Sequence, residues 1–354
     1  AKDSELIVIK LGTIDGKYNN AYYYVARDYA RKKARELERP LIINTSVGTN
    51  SDVGFINRAT QSTIWYQYGE CEIAGIGNEG NTQTHASGKI SSSGETQTVE
   101  IEIEEEEEFL KIELWICRPD RVNIKIISPT GEESKDVGLG YYKKESGIFN
   151  FENTTYAVFY VFPTSYSGQE FITINLYNAS PGVWKINLTG VYINSGCYNV
   201  YLPNRSLINQ NTRFLEPDPF YTVNFPTVDR NIFTVGAYDM INNSMWPPSS
   251  RGPNIRNIQK PNIVAPGVNI ISAYPHNRYG NITGTSAAAA VTSGVAALFL
   301  QYVTQNNQYK RQGFTQSIYS FFQLGADRED NIQYPNFIYG YGLLNARKIF
   351  EEFR

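Results

Sequence analysis

From about Thr82 to Tyr201 the chain alternates apolar and polar residues, whereas on either side its apolar residues come in unbroken runs. Alternation is the pattern of strands with one wet face, and it recurs in TVEIEIE, FLKIELWICR, RVNIKIIS, YAVFYVF, EFITINLYN, VWKINLTGVYI and CYNVYLP. Turn dipeptides such as those in Pro129-Thr130-Gly131 and Pro181-Gly182 separate them. Seven or eight such strands predict a β-sandwich of jelly-roll type. The acidic run Glu104 to Glu108 between two of them reads as a solvated loop.

The flanks follow a different rule. SELIVIKLG (Ser4 to Gly12) reads as a buried strand, and Asn20 to Leu37 as a helix stopped near Pro40. Then come LIINTSVGTN as a strand, a helix around Thr60 to Tyr68, and CEIAGIGNEGN as a third strand. Past Asn204, NIFTVGAYD and NIVAPGVNIISAY read as strands, followed by a helix from Ser286 and a closing helix in GYGLLNARKIFEEF. Apolar strands alternating with helices predict an α/β fold with a parallel sheet. The expected organisation is one α/β body, residues 1–82 and 204–354, interrupted by an all-β insertion at 83–203.

Net charge is −3, which gives no general attraction to nucleic acid or anionic membranes. The most apolar run, Ala287 to Val303, is broken by Thr292, Ser293 and Gln301 and reads as a buried helix rather than a membrane span. Three scattered cysteines, Cys71, Cys117 and Cys197, predict neither a disulfide framework nor a metal site, and no cofactor is expected.

Chemistry concentrates in ITGTSAAAAVTSGVAALFL, Ile282 to Leu300. A serine at the start of a helix sits where free N–H groups and the helix dipole favour negative charge. That is where an acyl-transfer oxyanion would form, so Ser286 is the candidate nucleophile. Asn78, between Gly77 and Gly80, follows an apolar strand and so lies at the sheet's C-terminal edge, where open α/β sheets bind ligands.

Four stretches stand in one order: Asn44-Thr45-Ser46-Val47-Gly48; Gly77-Asn78-Glu79-Gly80; Ser249-Ser250-Arg251-Gly252-Pro253 with KPNIVAPG from Lys260; and Gly284-Thr285-Ser286-Ala287-Ala288. Together they resemble the subtilases, the subtilisin-like serine proteases. The resemblance implies Ser286 as nucleophile, Asn78 as oxyanion donor, Ser46-Val47-Gly48 as the strand that pairs with substrate, and Gly77 as the facing pocket wall. Proline is usual four residues after the serine; here that position is Ala290.

The resemblance also implies a catalytic Asp and His, in Asp-Thr/Ser-Gly and His-Gly-Thr-His, and neither motif occurs here. His85 reads as a domain-junction residue and His276 as a surface one, while Asp15 and Asp52 sit in polar loops. The expectation is that this chain is the C-terminal part of a longer subtilase. A β-sandwich after the Asn-Glu-Gly loop, with GNEGNTQTHASG, LPNRSLINQNTRFLEPDPF and YPNFIYGYGLLN, is similar to the clostridial Csp germination proteases. That likeness implies a spore-associated or intracellular endopeptidase of a spore-forming bacterium, clipping a cortex-lytic enzyme precursor, and an N-terminal prodomain removed by self-cleavage. Csp-type pseudoproteases that act in germinant sensing supply the alternative. A third reading makes the sandwich a binding module, with Trp115 and Trp184 in an exposed aromatic platform.

Overall fold

Helix α1 (Asn20–Glu36) turns Tyr23, Arg27, Ala30, Arg31 and Ala34 inward, a stripe at three- and four-residue spacing that contains two arginines. The computed structural model describes residues 1–14, 17, 18, 20–51, 53, 54, 68–138, 140, 142–164, 167–305 and 313–351. Ahead of α1, β1 (Thr13–Ile14) and β2 (Lys17–Tyr18) form a short hairpin. The run Ser4 to Gly12, expected as a buried strand, belongs to no sheet, and Leu6 and Val8 are exposed. An apolar run becomes a strand only where a partner edge takes its backbone groups, and among the described residues none does.

Strands β3 (Leu41–Thr45) and β4 (Glu70–Gly75) pair in parallel. Strand β4 carries Glu70 and Glu72 towards α1, where Arg31 Nε meets Glu70 Oε1 at 2.6 Å and Arg27 Nη1 meets Glu72 Oε2 at 3.3 Å. Tyr23 donates its hydroxyl to Glu72 as well. Burial raises the Glu72 carboxyl, with Arg27 opposing that shift. The opposite face of β4, Cys71 and Ile73, enters an apolar core. The helix expected around Thr60 to Tyr68 lies almost wholly outside the described residues.

The middle of the chain builds strands β5 (His85–Lys89), β6 (Thr96–Ile103), β7 (Glu107–Ile116), β8 (Arg121–Ile127), β9 (Lys143–Phe149), β10 (Thr154–Val161), β11 (Glu170–Ala179), β12 (Gly182–Tyr192), β13 (Cys197–Tyr201) and β14 (Arg213–Phe214). They form two antiparallel sheets, in the orders β5-β13-β7-β11-β10-β9 and β14-β6-β12-β8. The inward residues of both sheets share one apolar core, including Ile101, Leu114, Tyr160, Ile174 and Trp184. Trp184 packs edge-on to Phe149 and donates Nε1–H to the Ser180 carbonyl. Trp115 is fully buried against Phe171, in a second cluster shared with Tyr23, Ile76, Val223 and Phe225 of the α/β part. Both tryptophans are therefore core residues, and neither contributes to an exposed platform.

Two expectations change here. Within the acidic run Glu107 is buried, accepting from Asn209 N at 2.8 Å and Thr212 Oγ1 at 2.6 Å, because the segment after β13 folds back over it. The cysteines are also not all free: β7 and β13 are neighbours, which brings Cys117 and Cys197 into a disulfide, while Cys71 stays buried and free. Beside that bond, the Asp120 carboxylate accepts from the backbone N–H groups of Asn194, Ser195 and Gly196.

The α/β part resumes with β15 (Phe233–Asp239), parallel to β4, then β16 (Ser244–Met245) and β17 (Ile263–Pro266), both on β15. The stretch NIVAPGVNIISAY, expected as one strand, is split: its first part is β17, and its second part is β18 (Ile270–Tyr274), which forms a hairpin with β19 (Arg278–Ile282). Helices α2 (Thr285–Gln305), α3 (Thr315–Leu324) and α4 (Ala346–Glu351) follow. Ala288, Ala289, Ala296, Phe299 and Phe322 cover Ile73, Val235 and Ile263 of the sheet.

Peptide mapping without reductant is expected to recover Cys117 and Cys197 as one linked pair. Iodoacetamide should leave Cys71 unmodified in the native protein and label it after unfolding, since burial pushes its thiol up and denies access.

Candidate functional site

The first turn of α2 lies against the end of β4. A Cβ at Gly75 would stand 2.7 Å from the Thr285 carbonyl and side chain, so only a bare backbone lets helix and strand approach this closely. The Thr285 hydroxyl accepts from Gly77 N at 3.3 Å and donates to Asn78 Oδ1 at 2.9 Å. Thr285 N–H reaches the same Oδ1 at 3.1 Å. With its oxygen held twice, the Asn78 carboxamide has a fixed orientation, and its Nδ2 makes no hydrogen bond among the described residues. Ser286, the next residue of the helix, is half-buried, and its Oγ is likewise without a partner among the described residues.

Gly77 has φ +122°, a left-handed conformation that glycine accommodates, and this turns the chain sharply as it leaves the strand. The loop then hangs from the segment before Arg251. Ser250 N donates to Gly77 O at 2.9 Å, Glu79 N to Ser250 Oγ at 3.0 Å, and Gly80 N to Pro248 O at 2.9 Å. Ser46, Val47 and Gly48 leave β3 as an exposed segment beside this loop. Asn44 Nδ2 donates to Ser46 Oγ, and Ser293 of α2 donates to Asn44 Oδ1. Thr49 and Phe225 exchange backbone hydrogen bonds at 3.1 and 2.9 Å. The structure thus gathers the stretches holding Ser46, Val47, Gly48, Gly77, Asn78 and Ser286 at the C-terminal edge of the parallel sheet.

Behind the site lies a polar junction that sequence reasoning did not find. Asn204, just past β13, accepts from Asn50 N at 2.9 Å and donates Nδ2–H to Glu79 Oε1 at 2.9 Å. Glu79 Oε2 takes the hydroxyls of Thr82 at 2.8 Å and Thr84 at 3.1 Å. Asn50 Nδ2 donates to Leu202 O and Thr84 Oγ1. One asparagine side chain therefore ties the loop after β3, the loop after β4 and the exit of the β body together. The only signal in the sequence was Asn204 within LPNRSLINQ, and nothing local marks it as a junction.

His85 is buried in that same region, with Nδ1 3.0 Å from Asp218 O, Nε2 3.0 Å from Asn199 Oδ1, and its ring 4.6 Å from that of Tyr201. Burial holds it below the ordinary imidazole value, opposed by the Asp218 contacts. His276 is exposed in the turn between β18 and β19. Neither histidine hydrogen-bonds Ser286, and Asp15 and Asp52 lie outside the described residues. Lys260, from the third sequence stretch, is fully buried and donates to Ile232 O and Thr234 Oγ1, both at 2.7 Å. Desolvation pulls it down to about 7, with Asp229 opposing. It pins the segment after Gly252 to β15.

Residues 204–342 match the Subtilase family, Peptidase_S8. Serine protease AprX of Bacillus subtilis is 34% identical over 145 residues, 35% of this chain and 31% of that protein. Subtilisin DY of Bacillus licheniformis is 31% identical over 126 residues, 35% of this chain and 39% of that protein. The chain thus spans about a third of the length of these curated relatives. The structure of the Clostridium perfringens CspB protease superposes with a TM-score of 0.83 at 23% identity, covering 94% of this chain and 71% of that one. The two share a fold.

Asn204→Ala should lower the denaturant midpoint by the equivalent of about 1–3 kcal/mol, because it leaves Asn50 N and Glu79 without their partner. Asn204→Asp should cost more at neutral pH, by setting a second carboxylate against Glu79 in place of the amide donor.

Proposed function

We propose that this chain carries the nucleophile-bearing part of a subtilisin-type serine endopeptidase. The observation that carries the reading is the double hold of Thr285 on Asn78 Oδ1, which leaves Nδ2 as a fixed donor beside the N-terminus of the helix that bears Ser286. Ser286 Oγ attacks the scissile carbonyl, and the oxyanion that forms is met by Asn78 Nδ2–H and by the Ser286 N–H in the first turn of α2. A preset donor in this position stabilises the tetrahedral state without reorganising as charge develops. The exposed Ser46-Val47-Gly48 segment pairs with the substrate backbone as an added strand, and Gly77 faces it across the cleft.

A general base and the carboxylate that orients it come, on this proposal, from another stretch of the full protein. The same full protein carries a prodomain that it removes itself. The α/β body comprises residues 1–82 and 204–354, and residues 83–203 form a jelly-roll insertion that braces it. The likeness in fold to the CspB protease supports a spore-associated or intracellular role in a spore former, where the enzyme activates a cortex-lytic precursor during germination. The second reading is a pseudoprotease acting in germinant sensing, in which the full protein lacks that base or its carboxylate.

A fluorophosphonate applied to the full protein separates the two. The protease reading expects one adduct, on Ser286, that vanishes in Ser286→Ala. Asn78→Ala should slow turnover by about 10²–10³, the loss seen when one such donor is removed from subtilisin. An unlabelled Ser286 in a folded, full-length protein would establish the pseudoprotease instead.

A further inference from the structure

We propose that Glu79 is a positioning residue for the oxyanion donor: its carboxylate, gripped at the exit of the β body, holds the loop that carries Asn78 in register with Ser286. The inference rests on the proteolytic reading above and concerns how that same site is held in shape.

The space that the donor must reach is narrow. A Cβ at Gly284 would stand 3.6 Å from Asn78 Nδ2 and 3.9 Å from Ser286 N, so both N–H groups border the volume that this glycine leaves open. An oxyanion met by both at about 2.7–3.1 Å tolerates little displacement of either. Ser286 N is fixed by the helix around it. Asn78 lies instead in the loop Gly77-Asn78-Glu79-Gly80, with a glycine at each end, the residue type that resists backbone rotation least.

Two side chains stand between those glycines, and each is anchored to a different part of the molecule. Asn78 is held through Oδ1 by Thr285 of α2. Glu79 is buried and accepts from Thr82 Oγ1 at 2.8 Å, Asn204 Nδ2 at 2.9 Å and Thr84 Oγ1 at 3.1 Å. The Thr82 hydroxyl also reaches the Glu79 carbonyl at 3.1 Å. Ser250 holds the loop backbone at Gly77 O and Glu79 N. A buried carboxylate cannot leave its donors without being stranded, which makes it a firm anchor one residue from the catalytic amide. Glu79 makes no hydrogen bond to Asn78 or Ser286 among the described residues, so its effect on the chemistry passes through the loop.

The test is a double-mutant cycle in the full protein, read with a fluorophosphonate. Ser286 Oγ attacks phosphorus, fluoride leaves, and the phosphoryl oxygen takes the place of the oxyanion. The end-point of labelling counts nucleophile-competent molecules, while the rate constant reports how well that oxygen is met. Glu79→Ala should slow capture about ten-fold or more with an unchanged end-point. Asn204→Ala should act in the same direction, and it keeps the test open if Glu79→Ala does not fold. In the already slow Asn78→Ala protein, adding either change should alter the rate by less than about two-fold, because residues acting through one group are not additive. A lowered end-point at unchanged rate, or equal slowing with and without Asn78, would reveal a merely structural role; the positioning assignment then fails while the protease reading stands. If wild-type Ser286 takes no label at all, both fall together.

Discussion

The seam between the first turn of α2 and the end of β4 sets the geometry of everything around it. Gly75 removes the side chain that would hold helix and strand apart, and Thr285 then fills the contact with two donors and an acceptor. That one residue orients the Asn78 amide and, by its place in the helix, brings Ser286 to the same edge. The sheet supplies rigidity from both faces in different ways. Alanines and phenylalanines of α2 and α3 pack on one face, and the other meets α1 through Arg27, Arg31, Glu70 and Glu72. Paired buried charges tolerate only one register, so α1 cannot slide along β4 without stranding an ion.

The β body is joined to the α/β part by two kinds of contact. Trp115 and Phe171 provide an apolar footing among Tyr23, Ile76 and Phe225. Beside it, Asn204, Asn50, Glu79, Thr82 and Thr84 form a directional network in which each carboxylate oxygen and amide has a partner. Apolar contact holds two bodies together but fixes orientation weakly; a satisfied polar network specifies it. Since Glu79 adjoins Asn78 and Asn50 closes the loop that begins at Ser46, the body's position bears directly on the cleft.

Much of this was legible in the sequence, because the period of apolar residues reports which faces are wet. The alternating strands of the middle region, α1, β3, β4 and the serine helix all follow that rule. Motif order singled out Asn78 and Ser286, and the Thr285 contacts bring their two stretches to one sheet edge. What the sequence hid depends on partners remote along the chain. Cys117 and Cys197 meet only because β13 returns beside β7, and Glu107 is buried only because the Asn209 to Thr212 segment folds over it. The run Ser4 to Gly12 has the composition of a strand, but among the described residues it joins no sheet edge.

One feature of the topology bears on how such a chain assembles. Strands β5 and β13, the entry to the β body and its exit, lie side by side, with His85 opposite Tyr201. The β body is thus a closed excursion whose ends meet. A parallel pairing such as β4 with β15 joins residues far apart in sequence, and the entropy of closing that loop grows with the length left free. If the body folds first, it shortens the effective tether between the two halves of the sheet to a few short connectors. The β body then acts as a folded splint, and a contact that is distant in sequence becomes kinetically local.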